Sequence, residues 1–239
     1  MTYLFIFFQM NEVKEEEEAL SDRKKAMQSF TDCFKHFGSS LNSQTKAIQA
    51  VKTNLLSQFF TGVKVPLASI QKQLGIEKVC EIMLVTMEDG GGKSTFIERM
   101  EAACQYVIGG NAIFITDTAA KTSQLLNATR KYFEMIPGAA SLVVKSTSHT
   151  IEFSGKTATG MQRGVVTSKH MDTNVNRVYI DDASKIENDV YAEYLEMVGV
   201  LVLQISSPPK VACDFSRMCN LKRRNPAMDV ELLECSKQI

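Results

Sequence analysis

The sequence lacks a net charge and contains little histidine. Its 27 Lys and Arg side chains balance its 27 Asp and Glu side chains, so no long-range field attracts nucleic acid. Any contact with DNA therefore requires a local basic patch or partner proteins. The three His residues are scattered, without the spacing of metal ligands or of a Cys/His catalytic pair, and we interpret them as structural.

Cysteine pairs and long apolar runs are also missing. None of the six Cys residues forms a CxxC pair, which argues against a structural zinc site. The apolar opening, residues 1–10, is too short to span a bilayer and lacks the positive flank of a signal peptide. Without a secretory signal a disulfide framework is not expected either. We therefore expect free thiols in an intracellular, soluble protein that does not contact membranes.

The composition is that of a globular chain, with 44% apolar and 23% charged residues. Helical periodicity predicts a helical N-terminal subdomain over residues 1–75. From residue 76 to 210 strands alternate with helices, which predicts a mainly parallel sheet with helices on both faces. No strong pattern follows, so residues 211–239 are predicted to be an irregular tail. The predicted strands are 79–85, 112–115, 141–145, 150–153, 177–181 and 199–205, with a further candidate that begins at 165–166. The predicted helices are 94–108, 118–135 and 187–197.

A glycine-rich segment, GGGKST at residues 90–95, lies between a predicted strand and a predicted helix. This context is typical of a phosphate-binding loop, because glycines let backbone N–H groups converge on phosphate oxygens. Lys93 would then reach the β- and γ-phosphates, and the Ser94 hydroxyl would hold Mg²⁺. The usual pattern has Gly where this chain has Met87, so a glycine-rich turn before an ordinary helix is the alternative. The predicted nucleotide-binding residues are Gly90, Gly91, Gly92, Lys93, Ser94 and Thr95.

Two acidic residues, Asp181 and Asp182, end the apolar run VYIDD. An ATPase with a phosphate loop needs such a residue at the end of a neighbouring strand to bind Mg²⁺. We predict that Asp181 serves the metal and that Asp182 orients or deprotonates the attacking water. Position 182 is more often Glu in such enzymes, and Asp is one methylene shorter. A strand-end turn with a helix cap is the alternative interpretation.

Two hydroxyl side chains, Ser206 and Ser207, follow the buried strand predicted at residues 199–205. In a parallel sheet the carboxyl ends of the strands share one edge, where ligands bind. We therefore predict that these hydroxyls sense the γ-phosphate.

The order of four segments, GGGKST, NAIFITDTAAKTSQLLNATRKYFEMIP, VYIDDAS and VLQISSPP, resembles the ATPase domain of viral DNA-packaging terminase large subunits. The herpesvirus-type terminases are the most similar that we can name, and the resemblance covers about residues 76–210. It implies a RecA-like P-loop ATPase that uses ATP and Mg²⁺ to move double-stranded DNA into a capsid. The implied partners are the viral DNA, the capsid portal, other terminase subunits and further copies of the chain. The implied location is the host nucleus.

The resemblance also assigns roles to residues. Asp182-Ala183 matches the Glu-Ala that follows the Mg²⁺ strand, and Ser206-Ser207 matches the motif that couples hydrolysis to DNA movement. Arg163 is the candidate for a catalytic arginine, although it lies further from Asp181 than usual. The chain departs from the family at Glu88-Asp89, where Arg is usual. The segment after Ser207 leaves no room for the family's nuclease domain, so we expect that activity to be absent from this chain.

Two other functions fit the same motifs. One is a different P-loop enzyme, such as a helicase-like ATPase or a nucleotide kinase, although no Arg-rich lid is visible. The other is a scaffold that binds nucleotide without turnover, since Glu88, Asp89 and Asp182 depart from the usual pattern. The basic cluster at Lys222–Arg224 is the candidate for contacting DNA phosphates, and so few contacts would give weak, salt-sensitive binding.

Overall fold

A computed structural model describes residues 25–26, 28–37, 82–157, 162–168, 175–186, 201–208, 212–228 and 230–235. Eight strands in this part of the chain form one sheet. The strands are β1 Ile82–Met87, β2 Gly110–Ile115, β3 Val143–Ser146, β4 Thr150–Phe153, β5 Arg163–Thr167, β6 Val175–Asp181, β7 Leu201–Ser206 and β8 Val230–Cys235. The helices are α1 Lys93–Val107, α2 Ala119–Met135 and α3 Asp214–Arg224, with 3-10 turns at Ala140–Leu142 and Ala183–Lys185.

The sheet is mostly parallel, as the alternation of strands and helices predicts. Its order is β3-β4-β5-β2-β6-β7-β1-β8. The six strands in the spatial order β5-β2-β6-β7-β1-β8 pair in parallel. The remaining pairs, β3 with β4 and β4 with β5, are antiparallel. Although β2 follows β1 in the chain, β6 and β7 lie between them. The carboxyl ends of these four parallel strands therefore lie at one edge of the sheet, outside which an open α/β sheet has its ligand-binding crevice.

Helices cover both faces of the sheet. Alternate side chains of β1 point to opposite faces, and each face has its own hydrophobic core. Met83 and Val85 belong to the larger core, which α1 and α2 complete with side chains such as Phe96 and Phe133. Leu84 belongs to the smaller core on the other face, together with Phe215 and Cys219 of α3. The fold class is therefore α/β with a doubly covered sheet.

The described part of the predicted N-terminal subdomain packs directly on the α/β domain. Residues 25–26 and 28–36 are helical, and Phe30, Phe34 and Phe37 lie in the larger core. The Phe37 ring meets the Tyr132 ring of α2 at 5.4 Å between centroids. The rest of the predicted subdomain and the helix predicted at residues 187–197 lie outside the described residues.

The prediction of an irregular tail over residues 211–239 is wrong. Within the described part of this segment, α3 and β8 occupy most of the residues. A capping box between Cys213 and Ser216 starts α3, and β8 pairs in parallel with β1 from Val230 to Cys235. The sequence hides both elements because α3 buries few apolar residues and β8 is an edge strand with two Glu residues. The α/β domain therefore extends at least to residue 235.

The five cysteines that the structure describes are free thiols. Burial raises the pKa of Cys33 and of Cys104 to about 12, so neither thiol ionises near neutral pH. Within the described ranges, no helix is long and apolar enough to cross a bilayer.

Candidate functional site

The glycine-rich segment forms a tight loop between β1 and α1. Gly90 and Gly92 have positive φ angles of 77° and 82°, which side-chain-bearing residues rarely adopt. At Gly91 a Cβ atom would lie 2.6 Å from Cγ of Met87, whose side chain is buried under the loop. The lack of a side chain at Gly91 therefore leaves room for the Met87 side chain. The backbone N–H groups of the first α1 turn, including that of Thr95, lie at the end of this loop.

Lys93, the first residue of α1, connects the loop to the end of β7. Its Nζ donates hydrogen bonds to Asp89 Oδ1 at 3.1 Å and to Ser207 Oγ at 2.8 Å. The Ser207 hydroxyl in turn donates to the Asp89 carboxylate. The Lys93 side chain is only 11% exposed, whereas that of Asp89 is 82% exposed. The structure thus brings Lys93 and Ser207 together, with an acidic side chain on the ammonium group.

Ser94 and Asp181 meet across the crevice. The Ser94 hydroxyl donates to Asp181 Oδ2 at 2.6 Å, and Asp181 is almost fully buried. Burial raises the pKa of Asp181, and the hydrogen bond from Ser94 opposes that rise. An oxygen-only pair of this kind suits Mg²⁺, which phosphate sites hold with one or two carboxylates, phosphates and water. In the described ranges no group of three or more His, Cys, Asp or Glu residues is arranged to hold a metal ion by itself.

Asp182 has an unusual backbone conformation and two lysine partners. Its φ of 53° is the one positive value among the described non-glycine residues. Its Oδ2 accepts hydrogen bonds from Lys121 Nζ at 2.9 Å and from Lys185 Nζ at 3.0 Å. Partial burial raises the pKa of Asp182, but the hydrogen bonds and charges of these two lysines outweigh burial and hold that pKa below its ordinary value. Asp182 is therefore a carboxylate at neutral pH.

The two serines that end and follow β7 point to different parts of the crevice. The fully buried Ser206 hydroxyl donates to Ser184 Oγ at 2.7 Å, in the turn after β6. It also accepts a hydrogen bond from the Ser184 backbone N–H. Ser207 contacts Lys93 and Asp89 as described above. The end of β7 is therefore in contact with both the glycine-rich loop and the turn that carries Asp182.

Arg163 does not join this group. It begins β5 and aligns with Gly110, the first residue of β2, so it lies at the opposite edge of the sheet. Its guanidinium donates to the Lys156 carbonyl at 2.6 Å and lies over the Tyr106 ring at 5.6 Å. The sequence alone could not show this, because an Arg-Gly pair says nothing about which end of a strand it occupies.

Two charged residues near the crevice were missed by sequence reasoning. Lys121 lies in the first turn of α2 and reaches Asp182, although no motif marks it. Glu98 lies one turn after Ser94 on α1, and that spacing could have revealed it. Burial, followed by the charge of Asp181, raises the pKa of Glu98 to about 7.

We expect Glu98→Gln to stabilise the protein at pH 8 but not at pH 5. Folding raises the pKa of Glu98 from 4.5 to about 7, so the folded protein favours the protonated carboxyl. The contribution of Glu98 to the free energy of unfolding is therefore fully present below pH 4.5 and is lost as the pH rises through 7. Gln cannot ionise, so the variant should gain on the order of 1–3 kcal/mol at pH 8. Urea unfolding in metal-free buffer at both pH values measures the difference.

The matched control is Glu134→Gln on the surface of α2, where the side chain is 37% exposed beside Arg130. Its effect should be small and similar at the two pH values. Equal effects of Glu98→Gln at pH 5 and pH 8 would show that Glu98 ionises normally in the folded state.

The fold is similar to those of phage large terminases. The large terminase ATPase domain of Thermus phage P74-26 superposes with a TM-score of 0.52 at 15% identity, covering 68% of this chain and 78% of that one. The HK97 bacteriophage large terminase gives a TM-score of 0.51 at 11% identity, covering 72% of this chain and 39% of that one. No protein-family profile and no curated protein matches the sequence. At these identities the likeness shows the fold alone, and it does not test the expected herpesvirus-type relationship.

Proposed function

We propose that the chain is the Mg²⁺-dependent ATPase part of a viral DNA-packaging motor, a terminase large subunit. One observation carries the proposal. Lys93 and Ser94 after β1 meet Ser207 and Asp181 of the neighbouring strands through side-chain hydrogen bonds. Residues separated by 87 to 114 positions in the sequence thus form one polar site at the carboxyl edge of the sheet.

The loop and α1 provide the groups that bind a nucleoside triphosphate. Backbone N–H groups around Gly90, Gly91 and Gly92 and the positive end of α1 bind phosphate oxygens. Lys93 binds the β- and γ-phosphates once it leaves Asp89. Ser94 and Asp181 hold Mg²⁺, which neutralises phosphate charge when bound.

Asp182 orients the attacking water rather than removing its proton. A carboxylate whose pKa is held low by two lysines is a weak base but a good hydrogen-bond acceptor. Asp182 therefore accepts a hydrogen bond from the water and directs its oxygen at the γ-phosphorus, while the proton of the water passes to a γ-phosphate oxygen and the β-phosphate oxygen leaves with ADP. Lys93 stabilises the negative charge that develops on the phosphate oxygens. Arg163 lies at the other edge of the sheet, so an arginine that stabilises this charge comes from another part of the chain or from a neighbouring copy.

Ser206 and Ser207 couple loss of the γ-phosphate to movement of DNA. Support comes from their contacts, since Ser207 reaches the phosphate loop and Ser206 reaches the turn after β6. The herpesvirus-type assignment, with action in the host nucleus, rests on the sequence motifs. The partners are double-stranded viral DNA, the capsid portal and other terminase subunits.

The isolated chain is expected to bind DNA weakly. In the basic cluster of α3, the Lys222 ammonium donates to the Pro226 and Met228 carbonyls at 2.8 and 2.9 Å. Arg223 pairs with Glu234 of β8. Two of the three cations are therefore engaged within the chain, and an assembled ring must multiply the phosphate contacts.

A scaffold that binds nucleotide without turnover is the second candidate. The observation in its favour is the ion pair between Asp89 and Lys93. The Asp89 carboxylate competes with a phosphate for the Lys93 ammonium. ATP turnover with and without duplex DNA separates the candidates. Turnover that duplex DNA strongly stimulates in the isolated chain at physiological salt would favour a helicase-like enzyme. No turnover even in an assembled complex would favour the scaffold.

We expect Lys93→Ala to weaken Mg²⁺-dependent ATP binding by roughly 10–100-fold, as expected when a charged hydrogen bond is lost. Asp89→Asn in the same loop should strengthen ATP binding, because it removes the negative charge that competes with phosphate for Lys93. Equilibrium binding of labelled ATP measures both. Parent-like affinity of Lys93→Ala would remove the phosphate-loop assignment.

A further inference from the structure

Lys121 contacts two carboxylates, those of Asp117 and Asp182, at the carboxyl edge of the sheet. Its Nζ lies 2.9 Å from Asp182 Oδ2 and 2.8 and 3.0 Å from the two carboxylate oxygens of Asp117. The Lys121 side chain is 36% exposed and that of Asp182 only 16% exposed. This ion pair is therefore partly shielded from water, unlike most lysine pairs on a protein surface.

The position of Lys121 opposes the local preference of its helix. Thr118 caps α2 and accepts a hydrogen bond from the Lys121 backbone N–H, so Lys121 lies in the first turn. Unpaired N–H groups make that end of a helix positive, and a lysine there is unfavourable. No acidic residue occurs in this first turn. The favourable partners of Lys121 are Asp117, just before the cap, and Asp182 on another element.

The sheet topology explains how the two residues meet. β2 and β6 are parallel neighbours, and Ile115 aligns with Ile180 at their carboxyl ends. The segment after β2 therefore runs beside the turn after β6, although Lys121 and Asp182 are 61 positions apart. Lys185 contacts the same Asp182 oxygen, but it belongs to the same turn and is 57% exposed. Lys121 is thus the partner that connects Asp182 to a second element of the sheet.

We infer that Lys121 is a positioning residue for ATP hydrolysis, because it holds the Asp182 carboxylate in place from the neighbouring β2–α2 segment. The inference rests on the proposed ATPase function. Asp182 is one methylene shorter than Glu, and its backbone adopts a left-handed conformation. A short carboxylate on such a backbone has few ways to reach a water, so its direction must be fixed by an external partner. Lys121 provides that partner and acts through Asp182 rather than on the nucleotide.

The test is steady-state ATP hydrolysis by the full chain, with binding of a non-hydrolysable ATP analogue measured in parallel. Lys121→Met should lower kcat by roughly tenfold or more, in line with the loss of a charged hydrogen bond. Its affinity for the analogue should stay within about twofold of the parent, because Lys121 does not hold the phosphates. Lys121→Arg should recover much of the lost rate, since it restores a cation at the same place.

Matched variants separate positioning from general charge effects. Lys185→Met removes the exposed partner of the same oxygen and should lower kcat less than Lys121→Met. Lys145→Met removes a lysine that pairs with Glu152 across β3 and β4, and it should leave kcat unchanged. A double-mutant cycle gives the sharpest readout. Lys121→Met should cause almost no further loss in an Asp182→Asn background, because it acts through Asp182.

Three results would overturn the inference while the ATPase proposal stands. The first is a parent-like kcat in Lys121→Met, and the second is a loss of analogue affinity in Lys121→Met as large as its loss of kcat. The third is that Lys121→Met lowers kcat as much in the Asp182→Asn background as in the parent. A loss of kcat that Lys121→Arg does not restore also counts against it, provided that circular dichroism shows both variants folded. If the parent itself fails to hydrolyse ATP in an assembled complex, the proposed function fails first and the inference with it.

Discussion

Asp182→Asn will slow ATP hydrolysis by ~10²-fold or more, as expected when a water-positioning group is lost. Asn preserves the shape of the side chain, but its amide is a weaker acceptor and carries no charge to pair with Lys121 and Lys185. ATP affinity should stay near that of the parent, because Asp182 does not contact Lys93 or Ser94 in the crevice. Single-turnover hydrolysis and equilibrium binding measure the two quantities separately.

Asp181→Ala serves as the contrasting variant. It removes the carboxylate that accepts the Ser94 hydrogen bond, so Mg²⁺-dependent binding should weaken as well as turnover. Normal turnover by Asp182→Asn would show that another group orients the water. Identical losses of binding in the two variants would argue against separate roles for the two carboxylates.

Arg177→Met will destabilise the folded chain by about 3–5 kcal/mol, the usual cost of breaking a buried ion pair from one side. The guanidinium of Arg177 donates to Glu101 at 2.8 and 2.9 Å and to the Gly109 carbonyl at 2.8 Å. Arg177 is 3% exposed and Glu101 is fully buried. Removing the arginine leaves a carboxylate in the interior between α1 and β6 without its charge partner. Urea unfolding gives the change in the free energy of unfolding.

The double variant Arg177→Met/Glu101→Met should recover much of that loss, because no uncompensated charge then remains buried. Lys145→Met breaks the exposed pair with Glu152 and should cost under about 1 kcal/mol. A loss below 1 kcal/mol in Arg177→Met would mean that water or another group solvates Glu101. The folded Arg177→Met protein should bind ATP normally, since Arg177 lies with Gly109 at the edge opposite Lys93.

Elements with strong local patterns could be predicted from the sequence. The helix predicted at 94–108 is α1, and the helix predicted at 118–135 is α2 with the Thr118 cap. The strands predicted at 177–181 and 199–205 are β6 and β7 to within a few residues. Apolar runs and helical periodicity arise from burial on one or both faces, and they are therefore visible in a short window.

Elements and residues with weak local patterns could not be predicted. The α3 helix is mostly polar and β8 is a half-exposed edge strand, so neither produces a clear periodicity. Arg163 looked suitable because it precedes Gly164, yet it begins its strand rather than ending it. Lys121 carries no motif, because its importance comes from β2 lying next to β6.

By itself, the sequence determined the chemistry that is available to this protein. A glycine-rich loop with Lys93 and Ser94 and an acidic pair at a strand end are local features, since each depends on neighbours along the chain. Only the tertiary structure decided which of these groups meet. Strand order depends on which buried faces pack together, and this order brings Ser207 to Lys93 and Lys121 to Asp182 and leaves Arg163 at the far edge. Such contacts join residues that are 61 to 118 positions apart in the sequence, as in the Lys121–Asp182 and Ser207–Asp89 pairs. They follow from packing and produce no periodic pattern in the sequence.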